Sequence, residues 1–80
     1  MEETRDAHNI ALGRAIRQLR KEAKLTQQEL ADRAEVPVET LRRVEVGSID
    51  AEWGTLRRLA YGLGVELPDV FRLTEELLGG

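Results

Sequence analysis

Eighty residues, 41% hydrophobic and 34% charged, fit one small domain built on a single core. With no cysteine, the chain has no disulfide framework and no thiolate ligand or nucleophile, which agrees with a reducing compartment. A formal net charge of −3 is unfavourable for a polyanionic ligand; no apolar run approaches a membrane span and no signal-peptide pattern opens the chain, so a cytoplasmic protein is expected.

The charge is uneven along the chain. Residues 1–9 carry a net −2 and residues 48–80 a net −3, whereas residues 10–47, with eight basic and six acidic side chains, carry +2. Residues 1–8 read as a flexible polar lead-in to a domain spanning 9–78. A first helix is expected from 9 to 23, because Leu12, Ala15, Ile16, Leu19 and Ala23 form an apolar stripe while Arg14, Arg17, Lys21 and Lys24 lie on other faces. Lys24 stands where the following turn often uses glycine, so its backbone is expected to be strained.

The stretch from Leu25 to Gly47 organises the rest. Thr26 and Glu29 have the spacing of a capping box, and Leu25 and Leu30 that of a hydrophobic staple. A short helix is expected from 27 to 34, with Leu30, Ala31 and Ala34 inward and Ala31 small enough for a second helix to cross closely. Pro37 lacks an N–H and suits a helix start, so the next helix is expected from 37 to 46. There Leu41 and Val44 face inward, and Val38, Glu39, Arg42 and Arg43 face outward. Gly47 is placed to end it in a left-handed conformation. After a loop, Asp50 can cap a helix over 51–62 with Trp53, Leu56, Leu59, Ala60 and Leu63 apolar, and Gly62 and Gly64 mark its end. A last helix over 68–78 starts on Pro68 and Asp69. Its apolar residues Val70, Phe71, Leu73, Leu77 and Leu78 span a surface too wide for one small core. Gly79 and Gly80 read as a loose end. The expected fold class is all-α, with five helices and no strand.

The segment from Leu12 to Val70 resembles the lambda-repressor-like helix-turn-helix family of phage repressors, Cro-type proteins and xenobiotic-response-element regulators. The matching residues are Leu12, Ile16, Leu19 and Arg20; Leu25-Thr26-Gln27 with Glu29-Leu30-Ala31; Val36, Thr40, Leu41, Glu45 and Gly47; and Leu56, Ala60, Leu63-Gly64-Val65 and Val70. The resemblance implies a compact five-helix domain with the helix-turn-helix at 26–46. It also implies double-stranded DNA as partner, binding as a two-fold dimer, and transcriptional control. By the same resemblance Gln27 touches a phosphate and braces the recognition helix. Val38, Glu39 and Arg43 reach base edges, Thr40 lies near the backbone or bases, and Arg20 pairs with Glu45.

The residues support such chemistry on their own terms. Arg43 can pair with guanine O6 and N7, Glu39 can accept from cytosine N4, and Val38 can pack on a thymine methyl. Arg42, Arg14, Arg17 and Lys24 are phosphate candidates. Thr26 and Gln27 sit at a helix N-terminus, where free N–H groups suit a phosphate. Three departures from the family pattern matter. Pro37 replaces a frequent Ser or Thr cap and so loses a phosphate contact. Glu35 replaces the frequent turn glycine and is strained if its φ is positive. Asp50 and Glu52 place carboxylates in the loop from 48 to 52, against a strong backbone grip.

Several residues also have plainer readings. Arg42 and Arg43 can be a solvated face, and Glu39 can merely discourage wrong sites. Trp53 is expected in the core and His8 on ordinary surface. The surface of Val70, Phe71, Leu73 and Leu77 is either extra core or a dimer contact, and the dimer is the favoured reading because so small a domain rarely leaves such a patch exposed. One histidine, one serine and no glycine-rich phosphate loop leave nothing resembling an activated nucleophile, so an enzyme is not expected. Neither a metal, a cofactor nor a small-molecule substrate is implied, and eighty residues leave no room for a sensory domain. The reading is a DNA-binding transcriptional regulator, a homodimeric repressor on a palindromic operator. The alternative is a protein-interaction module, antitoxin-like or adaptor, that keeps the scaffold but binds a protein partner.

Overall fold

Helix starts and stops in this chain follow local chemistry. The computed structural model describes residues 6–79, and these form five helices and no strand: α1 (Ala7–Glu22), α2 (Gln27–Ala34), α3 (Val38–Val46), α4 (Trp53–Leu63) and α5 (Leu67–Leu77). Helix α1 begins two residues before the expected start. The Asp6 carboxylate accepts from the backbone N–H of His8 at 2.6 Å and of Asn9 at 3.3 Å, so Asp6 is a working N-cap. Residues 1–5 of the expected lead-in, and Gly80 of the loose end, lie outside the described residues. Helix α1 stops at Glu22, leaving Ala23 exposed as its C-cap and not in the apolar stripe.

The capping box of α2 forms in both directions. The Glu29 N–H donates to the Thr26 hydroxyl at 3.0 Å, and the Thr26 N–H donates to the Glu29 carboxylate at 2.9 Å. Lys24 before α2 (φ 61°) and Glu35 after it (φ 58°) both adopt the left-handed conformation, which disfavours residues with a Cβ. Gly47 and Gly64 take the same conformation, each at φ 76°, and end α3 and α4. Pro37 is the N-cap of α3 and not its first residue.

Helix α1 packs across α3 and α5; α2 packs on α3 and α4; α4 leans on α5. Ile16, Leu30, Leu41, Leu59, Val44 and Val70 are the largest fully buried side chains. Two glycines set the helix spacing. A Cβ on Gly13 would lie 2.2 Å from the Val44 carbonyl oxygen, and one on Gly62 would meet Leu30 and Ala34. Gly62 is therefore a packing residue inside α4, and the helix ends at Leu63. Its start also differs from expectation. Asp50 does not cap α4; Glu52 occupies the N-cap position, and the Asp50 carboxylate accepts from the Asn9 side-chain amide, tying the α3–α4 loop to the start of α1.

Candidate nucleic-acid interface

Helix α3 is held from beneath by a buried carboxylate. Glu45 near its C-terminal end accepts from Arg20 Nε at 2.7 Å and Nη2 at 3.0 Å, and from Gln27 Nε2 at 2.9 Å. Arg20 Nη1 donates in turn to the Leu25 carbonyl at 3.0 Å. The two charged side chains retain only 10% and 4% of their exposure. The cluster thus joins α1, the turn before α2, the first turn of α2 and the end of α3. A charge pair so enclosed does little for net stability against an apolar substitute. Losing one partner, however, leaves an uncompensated buried charge, at about 3–5 kcal/mol. Its geometric effect is to fix the angle at which α3 stands against α2. Gly13 permits the same contact, since α1 could not approach α3 with a side chain there.

With the inner face locked, the outer face of α3 presents Glu39, Arg42 and Arg43, all exposed. They interact with one another: Glu39 Oε1 accepts from Arg42 Nη1 at 3.1 Å, and Glu39 Oε2 lies 3.6 Å from Arg43 Nε. The carboxylate therefore sits near two guanidinium groups, both one turn further along α3. Arg43 faces it through Nε, and its guanidinium, on a side chain that is 59% exposed, makes no hydrogen bond among the described residues. Val38 is less open than expected; it is half-buried and packs against the core. Thr40 is also half-buried.

The remaining phosphate candidates divide into two groups. Thr26 and Gln27 lie at the N-terminal end of α2, and Lys24 just before it. The Thr26 N–H is taken by Glu29, which leaves the N–H groups of Gln27 and Gln28 as the open donors at that helix end, among the described residues. Arg14 and Arg17 instead open onto a groove beside Leu77 of α5. Asp50 and Glu52 in the following loop are both exposed, although Asp50 is engaged by Asn9.

Two expectations about apolar residues require correction. Val70 is fully buried and cannot contact a partner; on α5 the line Val70–Thr74 faces inward, leaving Phe71 exposed and Leu73 and Leu77 half-buried. Trp53 is not in the core. It is 63% exposed because it is the first residue of α4, at the edge of the packed helices, and its one ring contact among the described residues is with Phe71, with ring centroids 6.5 Å apart. Arg33, Arg57, Arg58 and Tyr61, not among the expected site residues, cluster on another face; the four-residue spacing of Trp53, Arg57 and Tyr61 is the signal in the sequence that marks it.

Residues 11–73 match the family profile described as a helix-turn-helix domain. The chain belongs to this family, and its five-helix architecture is lambda-repressor-like. Among solved structures it is similar to the clp gene regulator ClgR from Corynebacterium glutamicum. One such structure shares 28% identity over 86% of this chain and 90% of the other, with a TM-score of 0.81; another shares 25% over 95% and 81%, with 0.87. The restriction-modification controller protein C.AhdI from Aeromonas hydrophila shares 26% identity over 82% of this chain and all of its own (100%), with a TM-score of 0.80. The wild-type controller protein C.Esp1396I, at 19% identity and a TM-score of 0.83, covers 91% of this chain and 96% of its own and shows likeness of fold. No curated protein matches the sequence.

Proposed function

We propose that the chain is a sequence-specific double-stranded DNA-binding transcriptional regulator, acting as a homodimeric repressor on a palindromic operator. The observation that carries this reading is the exposed guanidinium of Arg43, on a helix whose inner face is locked by Glu45, Arg20 and Gln27. In the major groove, Arg43 pairs with guanine, and Glu39 both steadies Arg43 and accepts from cytosine N4. The exposed part of Val38 meets a thymine methyl. Arg42, Thr40, Thr26, Gln27 and Lys24 hold phosphates, with Arg14 and Arg17 as outlying cations. The dimer forms through Phe71, Leu73 and Leu77 of α5, placing two recognition helices about 34 Å apart.

The test is binding of the purified chain to randomised duplexes, with sequencing of the bound fraction at two salt concentrations. A two-fold motif that weakens as salt rises is expected. Replacement Arg43→Ala should relax preference at one base pair of each half-site by about 1–3 kcal/mol. No enrichment at low salt removes the reading.

A further inference from the structure

The chain holds one tryptophan, one tyrosine and one phenylalanine, and none of the three is in the core. Trp53 is 63%, Tyr61 80% and Phe71 38% exposed, and all three stand on α4 and α5. Trp53, Arg57 and Tyr61 recur at four-residue intervals, so they share one face of α4. An apolar groove runs beside them, walled by Trp53, Tyr61 and Leu67 with Arg57 at its edge. Arg57 and Tyr61 also wall a second hollow with Arg33 and Arg58. Three guanidinium groups meet there against the single carboxylate of Glu35, and Glu66 is the acid of the apolar groove. Among the described residues, Arg33, Arg57 and Arg58 make no ion pair; Arg58 donates only to the Glu35 carbonyl, at 3.2 Å. In a chain of net charge −3, this is an island of net positive charge.

Tryptophan, tyrosine and arginine are the residues that dominate binding energy at protein interfaces. A self-pairing two-fold contact would set this patch against its own copy, arginines facing arginines. We infer that the α4 face of Trp53, Arg57 and Tyr61, with Arg33 and Arg58, docks an acidic segment of another protein. Its apolar side chain enters the groove beside Trp53, and its carboxylates meet the arginines one turn away. This contact is separate from the α3 surface and does not depend on DNA reading.

The test is selection of a displayed random-peptide library on the intact chain, followed by titration of the enriched peptides while reading the emission of Trp53, the single tryptophan. Enriched peptides should be rich in Asp and Glu around an apolar residue, shift the emission to shorter wavelength saturably, and weaken with salt. The variant Arg57→Glu, exposed and unpaired in the fold, should bind them about tenfold more weakly or worse, and Tyr61→Ser should also lose affinity. Both variants should keep their helical circular dichroism and their duplex binding. No enrichment, peptides without acidic excess, or equal binding by Arg57→Glu overturns the inference. Altered sedimentation mass of Arg57→Glu would make a second copy the occupant. Weakened duplex binding by that variant would make the face part of the DNA contact. Either result also overturns it.

Discussion

Glu35 adopts a left-handed backbone at φ 58°, where its Cβ crowds the following carbonyl. Among the described residues its side chain makes no hydrogen bond or ion pair that repays this; its backbone N–H donates to the Asp32 carbonyl at 3.3 Å and its own carbonyl accepts from Arg58. Glu35→Gly should therefore raise stability in urea by up to about 1 kcal/mol, whereas Glu35→Ala, which keeps the Cβ, should change it little. An equal gain from both would assign the effect to charge and not to conformation. Lys24 shares the strain on the other side of α2, and the proposed function gives its cation a phosphate to hold. On that proposal strain at Lys24 accompanies a role toward DNA, and at Glu35 it does not.

At the scale of elements, helix spacing rests on which glycines are crowded. Gly13→Ala forces a methyl into the α3 backbone at 2.2 Å and should cost about 3 kcal/mol or more, by thermal unfolding. Gly54→Ala meets nothing within 4 Å and should leave stability unchanged or raise it by up to about 1 kcal/mol. Similar effects of the two would contradict the close α1–α3 approach. Helix α5 has its own electrostatic start. Arg72, donating to Asp69 at 2.8 Å, and the Glu66 N–H, donating at 3.0 Å, hold the Asp69 carboxyl below its usual range. A carboxyl with a lowered folded pKa adds stability that is fully present above its unfolded value, about 4, and is lost as pH falls through the folded value. Asp69→Asn should thus lower stability at neutral pH and flatten its decline below about pH 4; an unchanged acid limb would remove Asp69 from that account.

Much of this architecture was legible in the sequence, and the failures have physical causes. Thr26 with Glu29, Gly47, and the inward pair Leu41 and Val44 are local signals that tertiary packing had no reason to override. Periodicity alone gave Trp53 the same standing as Leu56, because it cannot tell whether a helix end is covered by a neighbour. It likewise gave Val70 and Phe71 equal weight on α5, although adjacent residues differ by about a quarter turn and of the two only Val70 is buried. Gly13 gave no signal, since its role is fixed by a helix distant in sequence. Asp50 looked like a cap, but the Asn9 amide competes for the same carboxylate.

For the whole molecule, the proposed function puts dimerisation on α5 and base reading on α3. Phe71→Glu should therefore give a monomer by sedimentation, with weaker duplex affinity but the same half-site preference. A change of preferred bases with no change of mass would place α5 elsewhere in the mechanism. The core itself is wholly aliphatic, built from side chains such as Ile16, Leu30, Leu59 and Val70. Trp53 and Tyr61 are already well hydrated when the chain is folded, so intrinsic emission reports poorly on unfolding and near-ultraviolet dichroism is weak in the native state. A form with intact helices but loosened packing would be nearly invisible to both, and methyl NMR or amide exchange is the measurement that would reveal it.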